Sequence, residues 1–369
     1  MNIRKNDIEV EIGNARNIYK RIAQENLSTE DAYSIRGTAA YELDNGYLGF
    51  LRSIYDIEVF VLEVLSSNEL AFNLVESRLG NGHMEFDGKH PLIKYFHKVV
   101  KFADYYKPDY SFSEHVQLFF DCWIVLELHQ ERFNKPSGDS SKPAEKQYQV
   151  FNSFLDLIRT KGRSAEFRKR LSWKKDKSSK RFRSAKFYID RLFVNCSRME
   201  VLRIDFSYRQ EFAHRITAEQ AMTDFKNFKN NWRGKPSLFQ YLEGHIWKLE
   251  WGPGKGLHFH LILFFDSSKV QKDAYLAQQI GEYWIESITK GRGLFWNCNA
   301  SKFKYRKLGI GKISADDEEL RKNLIDEVVG YLVKTEQYLR AAPLGKGKLF
   351  GHGEIKVKSP AGRPRKNKA

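Results

Sequence analysis

The spacing of apolar positions changes along the chain, and the change divides it. Up to about residue 160 they recur at three and four, as in Asp56–Leu79, Pro91–Tyr106 and Ser113–Phe133, which predicts amphipathic helices. After about residue 190 the texture becomes strand, helix, strand, strand, helix. Val201–Tyr208 alternates Leu202, Ile204, Phe206 and Tyr208 with Arg203, Asp205 and Ser207, as a half-buried strand does. Thr217 with Gln220 makes a capping box that opens a helix reaching Trp232. His245–Trp251 and Leu257–Phe265 read as two strands joined by the Gly-Pro-Gly-Lys-Gly run at 252–256, strong hairpin chemistry. A helix over Val270–Thr289, one or two short strands over Gly291–Gly311 and a helix over Asp316–Arg340 complete the order. It predicts an α+β fold: a C-terminal antiparallel sheet with packed helices, of the ferredoxin-like kind, preceded by a mostly α-helical N-terminal region.

Charge adds a functional bias. Lys and Arg exceed Asp and Glu by 16, as expected of a protein that meets phosphate backbones. The excess is concentrated. Lys161–Lys186 carries twelve basic residues against two acidic ones, and Glu354–Ala369 six against one. Four segments follow: a helical region at 1–160, a basic linker at 161–188, a sheet-containing domain at 189–350 and a basic tail at 351–369. Arg168, Lys169, Arg170, Lys174, Lys175, Arg181 and Arg183 of the linker are candidate DNA contacts. So are Arg363 and Arg365 of the tail, whose Gly-Arg-Pro-Arg-Lys run at 362–366 resembles an AT-hook. Aromatic residues interleaved with the linker, Phe167, Trp173, Phe182, Phe187 and Tyr188, can stack on unpaired bases or anchor the linker. Cys122, Cys196 and Cys298 are too few and too far apart for a disulfide framework or a zinc motif. The first residues lack the apolar core of a signal peptide, and no segment suits a membrane. A cytoplasmic protein is expected.

The hairpin carries the candidate chemistry. A symmetric five-residue loop pairs Glu250 with His258 and Lys248 with His260, putting all four on one solvent-facing side of the sheet. Trp247, Leu249, Trp251, Phe259, Leu261, Leu263 and Phe265 fill the other. Opposed Cβ atoms lie about 5 Å apart, so Glu250, His258 and His260 can converge on one divalent ion. Imidazole plus carboxylate suits Mn2+, Mg2+ or zinc, and a site that must bind and release a phosphate oxygen favours the first two. On the last helix, Tyr331, Lys334 and Tyr338 lie within about 60° of one another beside an apolar stripe.

In order, these elements resemble the rolling-circle replication initiators of the His-hydrophobic-His (HUH) endonuclease superfamily: a first strand at Leu202–Tyr208, the His258-Phe259-His260 metal motif and a Tyr-x-x-Lys motif at Tyr331 and Lys334. The runs WKLEWG, KGLHFHLILFFD and GYLVKTEQYLR are more closely similar to the inovirus-type replication proteins of filamentous phages and prophages, the YagK/YfjJ C-terminal-domain family. The resemblance spans about residues 190–350. It implies His258, His260 and Glu250 as ligands of Mn2+ or Mg2+, Tyr331 as nucleophile, Lys334 as a phosphate-positioning group and Tyr338 as a second, less favoured nucleophile. It also implies an origin-nicking enzyme in a bacterial host, leaving a 5′-phosphotyrosine and a free 3′-hydroxyl on single-stranded DNA, with a host helicase or polymerase as further partner. A relaxase or transposase of the same chemistry, or a non-catalytic phage DNA-binding regulator, are the alternatives.

Overall fold

The computed structural model describes residues 7–17, 19–20, 45–76, 84–87, 90–106, 108, 110–128, 141–252, 256–333, 342–343 and 348–355. The chain divides into two compact units, Met1–Ser178 with Lys334–Leu344 and Ser179–Val333 with Gly345–Ala369. Among the described residues no helix is long and apolar enough to cross a membrane, and no disulfide joins the cysteines.

The first unit is mainly helical, as its periodicity predicts. Helix α1 (Asn45–Ser66), α2 (Glu114–Val125) and α3 (Ser141–Gly162) bury Ile57, Phe60, Val64, Phe119, Phe151, Phe154 and Ile158 in one cluster. Ser113 caps α2 by accepting a hydrogen bond from the Val116 amide, which satisfies one orphan N–H of the first turn. Three expected helices are shorter than their apolar pattern, the Ser113–Phe133 stretch closing at Val125. The one beginning at Asp56 stops at Ser66, where Ser66, Ser67 and Asn68 favour local side-chain hydrogen bonds over helix. The chain then forms β1 (Asn73–Glu76), paired with β2 (Met84–Asp87). Pro91–Tyr106 is likewise broken, into Pro91–Tyr95 and Val99–Ala103.

The basic segment lies largely within a 31-residue helix, α4 (Ala165–Asn195), and the division between the two units falls inside it. Lys, Arg and Ala are strong helix formers. A stripe of Ala185, Tyr188, Ile189 and Leu192, all buried, gives its second half an inward face.

The second unit is built on a six-stranded sheet: β3 (Arg198–Tyr208), β4 (Leu242–Gly252), β5 (Gly256–Asp266), β6 (Gly293–Asn297), β7 (Gly311–Ser314) and β8 (Phe350–His352). The order is β8-β4-β5-β3-β6, with β7 sharing the outer edge of β3, and every pairing is antiparallel. The hairpin register is the expected one: Lys248 opposes His260, Leu249 opposes Phe259 and Glu250 opposes His258. Gly256 closes its foot with φ +63, and a Cβ there would sit 2.8 Å from the Ala213 carbonyl oxygen. Loop residues 253–255 lie outside the described residues.

One face of this sheet packs under α5 (Ala218–Asn230) and α6 (Asp273–Tyr283). The Thr217–Gln220 capping box opens α5. Trp247, Leu249, Phe259, Leu261, Leu263 and Phe265 join Phe206, Phe225, Phe228 and Trp284 in that core, with Phe206 stacked on Trp284 at 4.6 Å.

The other face was expected to meet water and does not. Met199, Val201, Ile246, Ile262 and Phe264 share it with the ionisable residues and are fully buried. Here Tyr188 of α4 accepts a hydrogen bond from the His245 amide at 3.2 Å. The last helix begins as α7 (Glu318–Asn323) and widens into a π-helical turn at Leu324–Val329. Asp190 of α4 and Arg321 of α7 pair at 2.8 Å, locking the two helices of this layer. Helices therefore cover both faces.

Candidate metal centre

Alternation along three adjacent strands delivers the polar groups to one place. Glu250 from β4 and His258 and His260 from β5 each offer a ligand atom, and these atoms lie within 4.8 Å of one another. His258 Nε2 stands 3.7 Å and His260 Nε2 3.3 Å from the same Glu250 oxygen, Oε2. The far side of each ring is pinned. His258 Nδ1 lies 3.2 Å from the Gly256 carbonyl oxygen and His260 Nδ1 2.8 Å from Asp205 Oδ1. With Nδ1 facing these oxygens, each ring turns Nε2 toward Glu250, the orientation in which a deprotonated Nε2 can bind a metal. The residues present thus fit a divalent ion in donor type, number and orientation.

Asp205 was not among the sequence candidates. It lies on β3, opposite His260, and its charged position in an alternating strand was visible, whereas the β3–β5 pairing was not. Arg203 Nε is 3.6 Å from the same Asp205 oxygen. On the other flank the Lys248 ammonium, itself 1% exposed, pairs with Glu250 Oε1. Each carboxylate therefore has its own cation.

These neighbours set the protonation states. Burial works against the Glu250 carboxylate, but Lys248 and then His260 outweigh it and hold the carboxyl well below its usual range. Burial likewise opposes the charge on Asp205, and His260 and Arg203 overcome it, lowering the carboxyl. Burial would lower His260, yet Asp205 and Glu250 push it up to about 9. In the metal-free chain a proton on His260 occupies the place of a cation. Replacing Asp205 by Asn keeps the shape and removes the charge that orients His260. A 10- to 100-fold loss of Mn2+ affinity is expected from calorimetric titration, with the far-ultraviolet circular dichroism unchanged; equal affinity would assign Asp205 no part in the site.

Tyr331 lies on the covered face, 6% exposed, with the Arg203 guanidinium 6.0 Å from its ring centre. Tyr331, Arg203, Asp205, His260 and Glu250 thus form an unbroken succession of neighbours. Lys334 and Tyr338 lie outside the described residues, as do Arg363 and Arg365. Tyr331 is buried together with Leu324, Val328 and Leu332 of the same helix.

Several of the expected DNA contacts are engaged within the fold. Arg170 and Lys174 both pair with Glu114, at 3.1 and 2.6 Å, and Arg181 stacks over Phe350 at 6.0 Å. Arg168, Lys169, Lys175 and Arg183 remain exposed. Of the interleaved aromatics, Phe167 and Tyr188 are buried anchors, while Trp173 and Phe187 are 60% and 66% exposed.

Residues 160–342 match the YagK/YfjJ C-terminal domain family, and the candidate centre lies inside the matched segment. No curated protein and no solved structure matches the chain.

Proposed function

We propose that this site cuts and rejoins single-stranded DNA by transesterification, with Tyr331 as nucleophile, and that the protein initiates rolling-circle replication by nicking an origin strand. The observation that carries the reading is the succession from Tyr331 through Arg203 and Asp205 to His260 and Glu250 on one sheet face. Glu250, His258 and His260 would hold Mn2+ or Mg2+, which when bound polarises the scissile phosphate and stabilises charge on the departing oxygen.

The chain's own groups supply the rest. A phenol with a pKa near 10 is a weak nucleophile at neutral pH, so its proton leaves as the bond to phosphorus forms. Tyr331 Oη forms a bond to phosphorus as the bond to the 3′-oxygen breaks. The products are a 5′-phosphotyrosine and a 3′-oxygen that takes up a proton. Attack by that 3′-hydroxyl on the phosphotyrosine reverses the step, so rejoining needs no nucleoside triphosphate.

Charge balance makes metal and DNA mutually dependent. Lys248 and Arg203 already match Glu250 and Asp205, so a divalent ion adds surplus positive charge to a buried site, and an incoming phosphodiester offsets it. Tyr331 and both imidazoles are nearly closed to solvent, so the strand gains access as the helix bearing Tyr331 shifts. Its π-helical turn is where such a helix yields most readily.

The test is a denaturing gel of the full chain incubated with labelled single-stranded oligonucleotides from candidate origins, with and without Mn2+. A metal-dependent protein-DNA adduct is expected. Tight DNA binding with no adduct on any candidate would replace the enzyme by a DNA-binding regulator.

A further inference from the structure

The segment joining β6 to β7 has no part in the reading above. Residues 301–307 run Ser-Lys-Phe-Lys-Tyr-Arg-Lys, four cations and two aromatic rings in seven positions. Both ends are anchored. At the entry, Asn299 fills the interval between β6 and β7 along the edge of β3: its side-chain oxygen accepts from the Arg203 amide at 2.8 Å and its nitrogen donates to the Val201 carbonyl at 3.0 Å. At the exit, Gly309 packs so closely that a Cβ would sit 2.7 Å from the Leu324 amide nitrogen. Lys302 pairs with Asp273 and Lys307 with Glu327, each at 2.8 Å. Those two lysines fix the loop to the fold. The others face outward.

Phe303 is 80% exposed, and Lys304 and Arg306, also exposed, carry no ion pair with a described residue. A lone surface phenylalanine needs no explanation. A protruding ring beside two uncommitted cations, on a loop held at both ends, has the chemistry of a nucleotide-binding element. We infer that this loop binds single-stranded DNA, with Phe303 stacked on an unpaired base and Lys304 and Arg306 neutralising neighbouring phosphates. A duplex offers phosphates but no free base face, so the ring selects the single strand. The placement suits a strand bound for cleavage: the loop's entry holds the backbone of Arg203, and Glu327 lies one helical turn before Tyr331. Stacking and phosphate contact need no metal, so the inference is tested apart from the cleavage reading.

Fluorescence anisotropy of the full chain in EDTA, with a short oligothymidine and a duplex of the same length, provides the test. Phe303→Ala should weaken single-strand binding roughly 5- to 150-fold and leave duplex binding unchanged, while Phe303→Trp retains affinity. The double variant Lys304→Gln with Arg306→Gln should reduce the slope of log affinity against log salt by about 1.4. Phe303→Ala binding as tightly as wild type, an equal loss for single strand and duplex, or an unaltered salt slope overturns the inference. Substitution of exposed side chains leaves Lys302 and Lys307 to hold the loop, so loss of folding does not confound the result.

Discussion

Tyr331→Phe should abolish the covalent protein-DNA adduct, by at least about a thousandfold in rate, which corresponds to roughly 4 kcal/mol of transition-state stabilisation. The variant keeps the ring beside Arg203 and loses one hydroxyl, so stability should change by about 1 kcal/mol. Mn2+ affinity and single-strand binding should stay within about twofold of wild type. That combination separates a nucleophile from a packing residue, because a tyrosine needed only for the fold would lower all three together. A normal adduct yield in Tyr331→Phe, accompanied by loss in Tyr338→Phe, would move the nucleophile to Tyr338.

The second large effect is a pH dependence of metal binding. His260 titrates at about 9 in the metal-free chain, so an incoming ion must displace its proton. Apparent Mn2+ affinity should rise about tenfold per pH unit between 6.5 and 9, then level off. The sign for stability runs the other way. A folded-state pKa raised above the unfolded value near 6.5 stabilises the protein fully below that value, and the stabilisation is lost as pH rises through 9. For this buried imidazole the contribution is about 3 kcal/mol. Without metal, the melting temperature should therefore fall between pH 7 and 9, and saturating Mn2+ should reduce the fall. Titration calorimetry and thermal melts at three pH values check both, and a metal affinity constant across that range would remove His260 from the ligand set. His260→Gln should flatten the residual pH dependence.

The hairpin was the most legible part of the chain. Two alternating runs flank a glycine-rich turn, and period two admits only one assignment of faces once the loop is symmetric. The same alternation says nothing about what lies above a polar face. Lys248, His258 and His260 read as solvent-facing because strand periodicity is identical under water and under a helix, whereas Ile246, Ile262 and Phe264 on the same face show that it is covered. Asp205 and Arg203 escaped notice as site residues because their relevance rests on the pairing of β3 with β5, a contact between distant segments that no local pattern encodes. The π-helical turn was hidden for a similar reason: a helix with one extra residue per turn has no distinct composition. In the first unit, helical spacing around Asp56–Leu79 ran on past Ser66 because short apolar runs fit helix and strand alike.

Gly256 gives the hairpin a form of error checking. With its φ of +63 and Ala213 so close that no side chain fits there, the foot of β5 accepts one residue and therefore one register. A slip by a single position would turn Phe259 and Leu261 out of their core and drive both imidazoles into it. Misassembled chains would thus lose the centre and the stability together, so that whatever fraction survives proteolysis in a cell carries the ligand set correctly aligned.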